Sequence, residues 1–172
     1  MPDGKIIDSS NEETVLLEET KFGDFQVKVT SGTATFFVDE PFGVGGLASG
    51  PNPYDLLGAA LGSCTLMTIR LYANRKGWPL ETVRVRVTHS RDGLDGRDVF
   101  TKAIELTGPL DDEQRARILE IAGKCPVQRT LTQGSDIHAT LVPAAGFAAT
   151  AATGTEHCRD MSEACAQNGA PA

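Results

Sequence analysis

Apolar residues recur at spacings of three and four through one long stretch, Gly50 to Gly77 (GPNPYDLLGAALGSCTLMTIRLYANRKG). That spacing puts Leu57, Ala60, Leu61, Cys64, Met67, Thr68 and Leu71 on one apolar helix face. Pro51 and Pro53 suit a first helical turn, Asn52 can cap it, and no further breaker stands before Gly77. The pattern predicts a helix over residues 53–76 with Cys64 pointing inward. Ala59, Ala60, Gly62 and Ser63 are small, so another element can approach the helix backbone beside the thiol.

Period-two patterns surround this helix. The first dozen residues are polar and expected to be loose, and TVLLEE (Thr14–Glu19) reads as a short strand. Between Asp24 and Val38, FQVKVT and TATFFV flank Ser31-Gly32, which predicts a tight hairpin. Residues 39–51 (DEPFGVGGLASGP) are rich in glycine and proline and predict a loop into the helix. GVGG lacks the spacing between strand and helix of a dinucleotide fingerprint, so nucleotide binding is excluded. After the helix, ETVRVRVTHS and VFTKAIELT alternate apolar and polar residues on either side of a turn at 92–98, and predict two paired strands with Arg84 and Arg86 facing outward. Gly108-Pro109 ends the pattern. A second helix follows, capped by Asp111 or Asp112, with Ile118, Leu119 and Ala122 on its inner stripe and its end at Gly123. Pro126 opens a third helix, PVQRTLTQ, with Cys125 in the cap position. DIHATLV (Asp136–Val142) reads as a last strand.

Length changes this picture little: 172 residues suit one domain, taken as 1–143, and the Ala/Gly-rich segment 144–172 reads as a mobile tail. Charge excludes more. With 23 acidic residues against 16 basic ones the net charge is −7, and no basic stripe is interleaved with aromatics, so no nucleic-acid partner is expected. The start, MPDGKIIDSSNEE, has neither the charged nor the apolar region of a secretion signal, and no apolar run is expected to reach transmembrane length. A cytoplasmic location without a membrane partner is therefore expected. In that reducing compartment a disulfide among the four cysteines would serve chemistry more than stapling.

Cys125, at a helix N-terminus, meets unpaired N–H groups and the positive end of the dipole, with Lys124 and Arg129 close in sequence. Cys64, in mid-helix on an apolar face, has no such help and needs a cation from elsewhere. Both could equally be small buried hydrophobes, as free cysteines often are. Cys158 and Cys165 could share a helix face beside His157, but the close ligand pair of a zinc site is missing and no metal is expected.

GPNPYDLLGAALGSCTLMTIRLYANRKGWPLE and, downstream, KCPVQRTL together resemble the osmotically inducible protein C / organic hydroperoxide resistance (OsmC/Ohr) family, in its OsmC-like branch. The resemblance covers roughly Asp24 to Pro143. It implies an α+β, OsmC-like fold in which antiparallel sheets wrap two long central helices of an intertwined homodimer. It also implies that Cys64 is the peroxidatic thiol, oxidised to a sulfenic acid by an organic hydroperoxide, that Cys125 resolves it as a disulfide, and that a dithiol reductant of lipoyl or thioredoxin-like type restores both. No bound cofactor is implied.

The chain departs from the family pattern at two points. The family's peroxidases activate the first cysteine with an N-terminal arginine, yet no arginine precedes Arg70 here; Lys5, Lys21 and Lys28 are the early cations. Where the family has a partner carboxylate, this chain has Tyr54, with Asp55 one step on and turned by about 100°. Arg129 is the first substitute cation on this reading and Arg70 the second. These departures keep open a small-molecule-binding protein of the same fold without turnover, or another thiol chemistry on an electrophile.

Overall fold

The computed structural model describes residues 14–93, 95–143 and 156–169. It is α+β with antiparallel sheets, and it divides into two compact units, Met1–Pro53 with His138–Glu156 and Tyr54–Ile137 with His157–Ala172.

The first unit carries a three-stranded antiparallel meander of β1 (Val15–Glu19), β2 (Val27–Ser31) and β3 (Ala34–Val38). Ser31 pairs with Ala34, so the β2–β3 connection is Gly32-Thr33, one residue later than expected. The reason is backbone geometry: the first central position of the turn needs positive φ, and Gly32 supplies 55°. After β3 the chain makes a 3-10 turn at Phe42–Val44. Buried Asp39 organises this loop by accepting from the amides of Glu40 (2.8 Å), Leu47 (3.1 Å) and Ser49 (3.2 Å) and from the Ser49 hydroxyl (2.7 Å). Burial works to raise its carboxyl, but the Ser49 hydroxyl and these amides outweigh it and hold Asp39 below the usual carboxylate range.

The second unit is built on α1 (Pro53–Lys76), β4 (Val83–Ser90), β5 (Val99–Leu106), α2 (Asp112–Ala122), α3 (Pro126–Gln133) and α4 (Glu156–Gln167). The β4–β5 hairpin pairs Val87 with Lys102 and Val85 with Ile104. Its half-buried face alternates with an exposed one that includes Arg84 and Arg86. Ile69 and Ala73 of α1 pack with Leu80, Leu110, Ile118 and Ala122 to form the main core. Gly62 lets β4 come close to α1: a Cβ there would lie 3.2 Å from Val87 Cγ2.

Several expectations are corrected here. Of the seven residues assigned to the inner face of α1, Leu61, Cys64 and Thr68 are buried, whereas Leu57 and Met67 remain 40% and 48% exposed. Thr65, Ile69 and Tyr72 share the buried face instead; apolar residues occur on more than one side of α1, so periodicity alone did not single out its inner stripe. By length and composition α1 also meets the criterion for a membrane span, contrary to the sequence reading, although part of it is core here. On α2, Leu119 is exposed and Ile121 takes the inner place, one turn from Ile118. Residues 136–142 form no strand; Ile137 and Leu141 are exposed, and an alternating pattern becomes a strand only where another strand offers a ladder. Residues 156–167, expected within a mobile tail, are helix α4, whose Cys165 packs on Tyr72 and Ile121. Arg75 secures it by donating to the Ser162 carbonyl at 2.9 Å. Segment 144–155 lies outside the described residues, as do residues 1–13.

Candidate functional site

Cys64 and Cys125 come together. One sits in mid-α1 and the other caps α3, and with Leu61 they form a buried cluster walled by Val87, Phe100 and Val127. Both are free thiols, 1% and 0% exposed, and they share one buried cluster. The α2–α3 corner makes this possible: α2 ends at Gly123, and Pro126 at the first turn of α3 lets that helix start directly after Cys125.

The two sulfurs have unequal surroundings. Cys125 Sγ is 3.4 Å from Thr65 Oγ1. Cys64 Sγ accepts from the Val127 amide at 3.5 Å. The Thr68 hydroxyl donates to the Cys64 carbonyl at 2.8 Å, so its one hydrogen is not free for the thiol.

The charge at the site is Lys102. From the half-buried face of β5 its Nζ donates to Thr65 Oγ1 (3.1 Å), the Ala122 carbonyl (2.6 Å) and Gln128 Oε1 (2.6 Å), which uses all three ammonium hydrogens. Burial works to lower the Lys102 pKa, and the sulfurs of Cys125 and Cys64 act against it. The neighbouring Cys64 thiol, opposed by burial and aided by Thr65, Gln128 and Lys102, brings the Cys125 thiol down to about 6. The same pairing with Cys125, together with burial, pushes Cys64 up.

The substitute cations named from the sequence lie elsewhere. Arg70 donates to the Leu80 carbonyl at 2.6 Å and the Glu81 carbonyl at 2.9 Å, and so ties α1 to the segment before β4. Arg129 is exposed and lines a surface cleft of about 370 Å³ with Asp160 and Glu163 of α4. Tyr54 stacks on His89 at 4.4 Å and accepts from Arg91, which also donates to Asp98 at 2.8 Å. That group reaches the thiol cluster through Phe100, on which the His89 ring lies at 4.7 Å. Asp55 is exposed at the start of α1. Lys102 was missed, yet it shares strand parity with Phe100, Ile104 and Leu106, and a lysine on the apolar face of a strand is itself a signal. Cys158 is exposed and Cys165 buried, and among the described residues no three His, Cys, Asp or Glu side chains are grouped to hold a metal.

A family model described as OsmC-like protein matches residues 46–140. A crystal structure of an OsmC-like protein from Mycoplasma pneumoniae is similar at 23% identity, covering 73% of this chain and 89% of that one, with a TM-score of 0.58. The organic hydroperoxide resistance protein OsmC of Legionella pneumophila matches at 22% identity over 72% of this chain and 90% of that one, with a TM-score of 0.53. A Psychrobacter arcticus protein named for osmotic stress and detoxification matches at 22% identity over 72% and 91%, with a TM-score of 0.63. No curated protein matches the sequence.

Proposed function

The chain belongs to the OsmC-like protein family, and on that premise we propose that it is a thiol-dependent peroxidase reducing organic hydroperoxides to alcohols. The observation that carries the reading is the meeting of two reduced thiols from distant parts of the chain in one buried cluster beside a half-buried ammonium. In this reading Cys64 attacks the terminal peroxide oxygen and becomes a sulfenic acid, and Cys125, already in contact, condenses with it to a disulfide and releases water. Leu61, Val87, Phe100 and Val127 give the thiols an apolar wall, which suits an alkyl or aryl hydroperoxide better than a highly polar oxidant. Lys102 takes the place of the family's arginine as the local cation. A dithiol partner, lipoyl-bearing or thioredoxin-like, returns the pair to the reduced state by exchange. The working form is a homodimer in which a second copy covers the open side of α1, where Leu57 and Met67 are exposed.

Dithiol-dependent loss of cumene or tert-butyl hydroperoxide tests this, with mass mapping of the oxidised chain. Turnover abolished by Cys64→Ser and a Cys64–Cys125 disulfide in the wild type are expected. Wild-type protein that consumes no peroxide and forms no such disulfide would leave the second reading, a binding protein of the same fold, which the near-complete enclosure of both sulfurs favours.

A further inference from the structure

We infer that the way to the two enclosed sulfurs runs through the aromatic stack of Phe100, His89 and Tyr54. Phe100 is the gate, and Tyr54 and Asp98 are the positioning residues that hold it shut and set the size of electrophile admitted. Its use in turnover rests on the peroxidase reading; the barrier around the sulfurs does not.

Cys64 and Cys125 are enclosed almost completely, so no molecule reaches either sulfur until part of the wall moves. That wall is Leu61, Val87, Phe100 and Val127. Leu61 is buried in mid-α1, Val87 is backed closely by Gly62, and Val127 belongs to the turn of α3 whose amide meets Cys64 Sγ at 3.5 Å. A valine turns about one stiff side-chain bond and uncovers little, whereas a phenylalanine swings a large flat ring. Phe100 pairs with His89 one step from the open end of the β4–β5 hairpin, where the next pair, Ser90 and Val99, is exposed.

Outward from Phe100 the layers follow in order. The His89 ring lies 4.7 Å from that of Phe100, and the Tyr54 ring lies 4.4 Å from His89 and within 9° of parallel to it. Arg91 closes the outer end, with its guanidinium 5.2 Å from the Tyr54 ring centre and a hydrogen bond to the Tyr54 hydroxyl. Asp98 fastens two layers at once: its Oδ1 meets His89 Nε2 at 2.7 Å and accepts from Arg91 Nε at 2.8 Å. Arg91 first and His89 second hold that carboxyl below the usual carboxylate range, so it is ionised and only accepts, which places a proton on His89 Nε2. All of these are side-chain contacts, so the stack can part without disturbing the ladder between β4 and β5. A narrow group needs only Phe100 to swing; a broad one must also part His89 and Tyr54.

The test is alkylation of the reduced, full-length chain by N-methylmaleimide and by the broader N-(1-pyrenyl)maleimide. Mass mapping follows the label on each cysteine, with exposed Cys158 as the internal reference. In the wild type Cys64 and Cys125 are expected to react more slowly than Cys158, and more slowly still with the pyrenyl reagent. Phe100→Ala should speed both reagents at these two sulfurs by about tenfold or more, and Tyr54→Ala should speed chiefly the pyrenyl one, by about tenfold. Tyr54 is at the surface, so its variant keeps the test open if Phe100→Ala unfolds. Tyr54→Phe, which keeps the ring and loses the bond from Arg91, should restore most of the protection, and Arg70→Ala, which loosens α1 elsewhere, should leave both rates unchanged. Unaltered labelling in both Phe100→Ala and Tyr54→Ala would overturn the route, and equal acceleration in Arg70→Ala would overturn it as general loosening. In turnover, Tyr54→Ala should raise kcat/KM for cumene hydroperoxide relative to tert-butyl hydroperoxide. The expected labelling without turnover of either peroxide would remove the peroxidase reading and leave the gate.

Discussion

The inner and outer sides of α3 each meet a cation, and the two cations do different things. On the inner side Lys102 is enclosed between β5, Thr65 and Gln128, and its charge is felt by both sulfurs. On the outer side Arg129 stands exposed over a cleft whose carboxylates, Asp160 and Glu163, come from α4. Water screens the second charge more than the first, so a lysine held by neutral acceptors helps to lower the Cys125 thiol, whereas the arginine close to it in sequence points to a surface cleft. Proximity along the chain is a poor guide to electrostatic reach; desolvation and a shared hydrogen-bond path decide it.

The largest effect expected from breaking this contrast is on chemistry. Lys102→Met should cut hydroperoxide consumption below about pH 6 by roughly tenfold. In the wild type the reactive form is lost as pH falls through about 6, because a depressed thiol is ionised above that value and protonated below it. The variant's rate profile should move up toward the ordinary thiol value of 9.0, which initial rates across pH will show. Next in size, Ile118→Ala, at a completely buried position of the main core, should cost about 2–5 kcal/mol in urea unfolding. Arg70→Ala removes two donors to backbone carbonyls and should cost about 1–2 kcal/mol, while the thiolate midpoint stays where it is. A shifted midpoint there would mean that Arg70 reaches the pair after all. The smallest effect belongs to the outer side: Arg129→Ala should change stability by less than about 0.5 kcal/mol and leave the peroxide rate unaltered.

Much of the fold was legible because it depends on local pattern. The stretch 53–76 carries a helical period bounded by proline and glycine, and α1 spans those residues. Two alternating runs across a Gly/Asp-rich turn became β4 and β5, and the cap at Asp111 accepts from the Gln114 amide as its residue type suggests. Patterns that depend on a partner were less legible. DIHATLV alternates like a strand but has no ladder among the described residues, and the segment that includes Cys165 looked too polar to bury until Tyr72 and Ile121 gave it a surface.

The site divides in the same way. Composition and motif singled out Cys64 and Cys125, and residue types alone placed one in mid-helix and the other at a helix start. Only the tertiary structure joined them and chose Lys102 over Arg70 and Arg129, because that choice depends on which atoms from α1, β5 and α3 meet and on how much water is excluded where they do. A sequence can state the parity of a strand residue and the cap of a helix; the direction of a hydrogen bond between elements distant along the chain is settled when they pack.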